Sequence, residues 1–168
     1  MESETMDTAS ELHLADVHPE LARRIRLLND KCEANGIPIR VTCGLRTWNE
    51  QDALYAQGRT ASGNIVTNAP GGYSAHQFSY ACDIVPGKEG MPAFTPDWNA
   101  MDLSWKWVLL LAEQCNLAEG AEWRMFPDRP HLYLKELPAT PDDEMRYAFK
   151  EGGMDAIRSL INSRLAAG

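Results

Sequence analysis

The stretch Ser74-Ala75-His76-Gln77-Phe78-Ser79-Tyr80-Ala81-Cys82-Asp83 lies at the seam between a Gly-rich loop and an apolar strand, and it sets an imidazole and a carboxylate seven positions apart. Alternation from Tyr80 to Val85 puts Asp83 on one face with Ala81 and Val85 and turns Tyr80, Cys82 and Ile84 to the other. The other histidine in a comparable setting is His131, in Phe126-Pro127-Asp128-Arg129-Pro130-His131. Two imidazoles and a carboxylate, His76, Asp83 and His131, make a three-ligand zinc set with a fourth position left for water; a structural zinc site is more often closed by four ligands, commonly cysteines. On spacing alone, ordinary surface or core histidines meet the same pattern. His13 and His18, in a polar lead-in and at a helix start, are read as structural.

Upstream of the opening stretch, residues 1–17 read as a loose polar lead-in. His18-Pro19-Glu20 opens a helix, with Leu21, Ile25, Leu28 and Cys32 at helical spacing and Asn35-Gly36 at its end. Pro38 to Cys43 alternates as a strand. Thr47 and Glu50 fit a capping box, so the spacing predicts a helix over about 48–57 that stops at Gly58 and places Arg46 in the strand-to-helix turn. Residues 58–73 form a long loop without periodicity.

Downstream of Asp83, residues 86–103 are irregular. Ser104 caps an apolar helix to about Cys115, with Trp107, Leu110, Leu111 and Cys115 expected on its inner stripe. Short strands are expected at Glu122–Met125 and His131–Leu134, the latter with His131 and Tyr133 on one face. Two helical pieces, about 142–150 and 154–165, flank Gly152-Gly153. The order of elements predicts an α+β fold: a small antiparallel sheet flanked by helices, with the candidate zinc site in a cleft over the sheet. The expected division is a lead-in over 1–17, a domain over 18–140, and a helical extension over 141–168 packed on that domain.

A hydrolytic zinc site needs a base for the attacking water. Asp128, three residues before His131, is one candidate, held in a stiff turn by Pro130; Glu122 is the other. Arg46 is the cation that would steady an oxyanion or a substrate carboxylate.

Composition narrows the partners. The 168-residue chain is 44% hydrophobic and 24% charged, an ordinary globular balance, and its net charge of −8 argues against nucleic acid. The acidic N-terminus has no apolar core of a secretory signal, and the apolar run Trp107 to Ala112 is too short for a membrane span. Cys32, Cys43, Cys82 and Cys115 lack paired spacing and read as free thiols of a cytosolic protein.

Ser74-x-His76 through Asp83 resembles the SxHxxGxAxD signature of the LAS metallopeptidases, which cut peptidoglycan peptides or D-Ala-D-Ala termini. The subgroup it resembles most is the L-alanyl-D-glutamate endopeptidases of phage endolysins and related bacterial proteins. The resemblance extends over the first helix and strand, Gly44-Leu45-Arg46-Thr47, Glu50 to Arg59, Val66-Thr67-Asn68-Ala69 and Asp128 to His131. It implies one zinc ion held by His76, Asp83 and His131, Asp128 as the catalytic base in preference to Glu122, and Arg46 as a catalytic and substrate-binding cation. It also implies that Gln51 and Ser74 either support the groups around the site or contact the substrate. Ser79 stands where the signature has Gly, Cys82 where an aliphatic residue is common, and Leu132-Tyr133 where Phe-Glu is common.

The implied activity is hydrolysis of a peptidoglycan stem-peptide amide, at the L-Ala–D-Glu bond, in cell-wall lysis. The rivals are a D,D-carboxypeptidase or dipeptidase and a non-catalytic domain that holds zinc or wall peptide. A monomer is expected, made in the cytoplasm without a signal segment and reaching the wall after release.

Overall fold

A computed structural model of the chain describes residues 6–88, 91, 93–99, 103–120 and 128–168. Its centre is a four-stranded antiparallel sheet in the order β1-β2-β4-β3, built from β1 (Ile39–Cys43), β2 (Ala81–Pro86), β3 (Leu117–Gly120) and β4 (Asp128–Leu134). Helices α1 (Thr8–Leu14), α2 (Pro19–Ala34), α3 (Trp48–Ala56), α4 (Leu103–Gln114) and α5 (Asp143–Ala167) surround it. The expected α+β architecture is the one that forms. Among the described residues, no helix is long and apolar enough to cross a membrane.

The central strand β2 is buried along nearly its whole length, with Asp83 its one partly exposed residue. Cys82 and Ile84 belong to the core that α2 and α4 complete through Leu21, Ile25, Leu28, Trp105, Val108 and Leu111. The Thr47–Glu50 capping box is present in both directions and starts α3 at Trp48. At the far end, Gly153 takes φ 61° and ψ −151°, which divides α5 into the two expected pieces.

Four expectations change. From Met6 onward the lead-in is not loose. Asp7 caps α1, Leu14 and Val17 are buried, and Ser10 Oγ accepts the Val41 N–H at 2.9 Å. β1 is an edge strand, and α1 covers it, giving the Val41 N–H a partner. Gly44 permits this approach, since a Cβ there would lie 2.2 Å from the His13 carbonyl oxygen. Second, α4 turns Trp105, Val108, Leu111 and Ala112 inward, while Trp107 and Leu110 are exposed. That helix is apolar on almost every side, so periodicity does not choose its inner face.

Third, β3 is a strand over Leu117–Gly120 that the sequence left unread, while the strand expected at Glu122–Met125 lies outside the described residues. Fourth, Asp128-Arg129-Pro130 is the start of β4 and not a separate turn. Pairing jumps there from Glu119↔Leu132 to Gly120↔Asp128, and this irregularity takes up Pro130, which has no N–H for a regular ladder.

Candidate metal centre and cleft

Strand register assembles the site. Asp83 pairs with Cys43 on one side and with His131 on the other, so the carboxylate and one imidazole are fixed as cross-strand neighbours. The second imidazole comes from the 3-10 turn Ala75–Phe78, which precedes β2. The turn closes at Ser79, whose φ of 63° is left-handed, so Ser adopts the conformation for which Gly is the usual choice. Its backbone is held at that angle by His18, whose N–H donates to the Ser79 carbonyl at 2.7 Å. Ser79 is fully buried and, among the described residues, its hydroxyl has no hydrogen-bond partner.

His76 Nδ1 lies 2.8 Å from the Gly44 carbonyl, which can only accept, so Nδ1 donates and Nε2 faces the cleft. Nε2 is 3.2 Å from Asp83 Oδ1 and 3.1 Å from His131 Nδ1, and His131 Nδ1 is 3.5 Å from Asp83 Oδ1. Zinc ligands at about 2.0–2.1 Å from the ion stand about 3.3 Å from one another in a tetrahedron, so this triangle fits one zinc ion.

The electrostatics fit a cation as well. Burial disfavours a charged His76, but the Asp83 carboxylate outweighs burial and pushes the imidazole up to about 10. Burial of most of its surface raises Asp83, but the two imidazoles outweigh this and hold it far below the usual carboxylate range. Burial keeps His131 below its ordinary value. A buried carboxylate facing two imidazoles requires a positive charge between them, whether a proton or a metal ion.

Asp128, at the start of β4, offers a carboxylate oxygen in a group with Asp83 and His131 whose donor atoms lie within 4.8 Å of one another. Burial and the Asp83 charge raise it to about 6, against partial relief from His76 and Arg46. Gly120 opposite is needed for this approach: a Cβ there would stand 2.6 Å from the Asp128 carbonyl oxygen and 3.2 Å from His131 Cβ.

Arg46 reaches the other oxygen of Asp83, with Nη2 3.6 Å from Oδ2. Its Nη1 donates to Gln51 Oε1 at 2.7 Å and its Nη2 to Cys43 Sγ at 3.3 Å. Gln51 is 0% exposed and does not line the cleft; its Nε2 donates to the Ala69 carbonyl at 2.7 Å. It therefore ties Arg46 to the loop 67–69 from behind the cleft. Ser74 does line the cleft, beside His76.

The cleft, of about 540 Å³, is bordered by Arg46, Ser74, His76, Asp83, Asp128 and His131, and on its outer side by Tyr73 and Trp98. Every expected site residue except Gln51 thus meets in one cavity, while the alternative base Glu122 lies outside the described residues. Sequence reasoning missed Cys43 and Trp98. Cys43 has no motif around it and reaches the site through strand pairing alone. In the described structure His131 has Tyr133 beside it, ring centroids 5.8 Å apart, at the position where the resemblance leads one to expect a carboxylate.

A His-Asp-His donor set, a carboxylate of raised pKa and an anchored arginine, gathered over an antiparallel sheet, have the chemistry that a hydrolytic metal centre would need. The family model described as VanY, D-alanyl-D-alanine carboxypeptidase, matches residues 14–119. The chain belongs to that family. The peptidoglycan L-alanyl-D-glutamate endopeptidase CwlK of Bacillus subtilis (strain 168) is 34% identical to it over 124 residues, covering 71% of this chain and 74% of that protein. The L-Ala D-Glu endopeptidase ChiX of Serratia marcescens superposes with a TM-score of 0.56 at 26% identity, over 79% of this chain and 91% of that one. A vancomycin resistance D,D-pentapeptidase, VanY, solved in complex with Zn(II), shares the fold at a TM-score of 0.53 and 15% identity, over 82% and 80% of the two chains.

Proposed function

We propose that this chain is a zinc-dependent peptidoglycan peptidase that hydrolyses the stem peptide at the bond between L-Ala and D-Glu. The observation that carries the reading is the triangle of His76 Nε2, Asp83 Oδ1 and His131 Nδ1, 3.1–3.5 Å on each side, with Asp128 beside it. The likeness to CwlK and ChiX supports the choice of bond.

His76, Asp83 and His131 would hold the ion, which when bound supplies Lewis acidity to the scissile carbonyl. Burial and the Asp83 charge raise Asp128 above the usual carboxylate range, the direction that suits a group exchanging protons near neutral pH. Asp128 takes a proton from the attacking water onto a carboxylate oxygen and gives it to the departing amide nitrogen. Arg46 has five N–H donors, of which the contacts to Gln51 and Cys43 use two. The others serve the free α-carboxylate of D-Glu, next to the scissile nitrogen. Gln51 positions Arg46, and Ser74 borders the bound peptide. The substrate places the action at the cell wall.

A D,D-carboxypeptidase reading is favoured by the description of the matching family, and the masses of the products separate it from the first. The assay is incubation of zinc-loaded protein with purified sacculi. New free amino groups are expected, and Asp128→Ala is expected to abolish their release while metal content stays at one ion per chain. Undiminished release by that variant would remove Asp128 from the role of base.

A further inference from the structure

Trp98 stands at the mouth of the cleft with 59% of its surface exposed. Its support is firm. The preceding residue, Asp97, is buried; its N–H donates to the Pro86 carbonyl at 2.8 Å and its carbonyl accepts from the Trp105 indole at 2.8 Å. Asp97 Oδ1 also accepts from the Asn99 N–H at 3.0 Å, so the backbone on both sides of Trp98 is tied down. The ring is therefore a large apolar surface on a fixed base that folding leaves uncovered.

Arg46 and Trp98 both line the cleft, and their backbones attach at opposite ends of β1. Arg46 follows the end of β1 at which Cys43 pairs with Asp83, whereas Trp98 hangs from Pro86, which pairs with Ile39 at the other end of β1. Asp83 and Pro86 are three residues apart along β2, roughly 10 Å at the usual rise of a strand. If Arg46 takes the D-Glu carboxylate, the part of the substrate N-terminal to the scissile bond runs toward Trp98. In peptidoglycan that part is one L-Ala, and its nitrogen is acylated by the lactyl group of N-acetylmuramic acid. The next group beyond the bond is thus a saccharide, whose axial C–H face packs well on an indole.

The geometry points to Trp98 as the platform of a saccharide subsite that takes the lactyl-N-acetylmuramoyl group, so that glycan-linked stem peptides are preferred over free ones. Thr42 and Pro130 border the cleft with it. The inference rests on the L-Ala–D-Glu reading of the proposed function.

Two measurements on the full zinc-loaded chain test it. The first needs no turnover: binding of N-acetylmuramoyl-L-alanine and of N-acetyl-L-alanine, followed by saturation-transfer NMR. The sugar-bearing probe is expected to bind on the order of tenfold more tightly, with saturation on its pyranose protons. Trp98→Ala should remove that advantage and Trp98→Phe keep part of it. Equal binding of the two probes, or an advantage that survives Trp98→Ala, overturns the subsite. The second compares kcat/KM on a disaccharide-tetrapeptide and on the N-acetylated tetrapeptide, with products identified by mass. A higher value for the glycan-linked substrate that falls toward parity in Trp98→Ala is expected. Cleavage of both between L-Ala and D-Glu at equal kcat/KM overturns the subsite and leaves the peptidase reading standing. Absence of that cut from both overturns the two together.

Discussion

Asp83 and His131 are direct partners across β2 and β4, with Oδ1 and Nδ1 3.5 Å apart. Two of the three donors are therefore set by sheet register and one by a local turn. Changing either strand residue should remove the ion without moving the backbone. Asp83→Asn keeps the shape and loses the charge that raises His76, so zinc bound per chain, measured after dialysis, should fall well below one. Retention of a full equivalent of zinc in Asp83→Asn would place the ion elsewhere.

Ser79 keeps a left-handed backbone and a buried hydroxyl that has no partner among the described residues. The first costs about 1–2 kcal/mol for a non-glycine residue, and the second about 1–3 kcal/mol. Ser79→Gly gives some of this back as chain entropy in the unfolded state, leaving a net gain of about 1 kcal/mol. The expected result is a Tm higher by roughly 2–4 °C. A lower melting temperature in a thermal scan would mean that the Ser79 side chain contributes to the fold.

Gln51→Leu is close in size and removes the amide contacts to Arg46, Thr67 and Ala69. It leaves the Ala69 carbonyl without its 2.7 Å donor and frees Arg46 on the Gln51 side. The change should cost about 1–3 kcal/mol of stability. It should lower kcat/KM at least about tenfold while leaving zinc content unchanged. Loss of zinc in this variant would tie Gln51 to the metal and not to Arg46.

Acid should weaken the fold through Glu20. Its hydrogen bonds to Arg23 and Arg24 outweigh burial and lower its pKa from 4.5 to about 2. A carboxylate with a depressed folded pKa stabilises the protein above its unfolded value, and that contribution is lost as pH falls through the folded one. The Tm difference between the natural protein and Glu20→Gln should therefore be constant above about pH 5 and shrink between 4.5 and about 2. A difference that does not change with pH across that window would show that the ion pairs carry no net stability.

Much of the candidate site was legible in the sequence because the proposed ligands sit in short motifs with local reasons for their shape. The Thr47–Glu50 capping box, the alternation around Asp83 and the glycine pair in α5 are patterns within a few residues, and the structure reproduces each. What was missed depends on distant partners. α1 has too few residues for a periodic signal and owes its place to Asp7, Ser10 and the uncovered edge at Val41. β3 reads Leu117-Ala118-Glu119-Gly120, with no β-branched residue to announce a strand. The burial of Gln51 behind Arg46, and the arrival of Cys43 beside His76 at 3.9 Å, follow from pairing and loop packing that no local pattern encodes.

The most direct test of the central claim is mass spectrometry of purified disaccharide-tetrapeptide and disaccharide-pentapeptide muropeptides after incubation with zinc-loaded protein, with a chelated sample beside it. The account predicts disaccharide-L-alanine and a peptide beginning with D-Glu, formed only when zinc is bound. Release of D-Ala from the C-terminus of pentapeptide muropeptides with the L-Ala–D-Glu bond intact, or the same products after zinc removal, would contradict it.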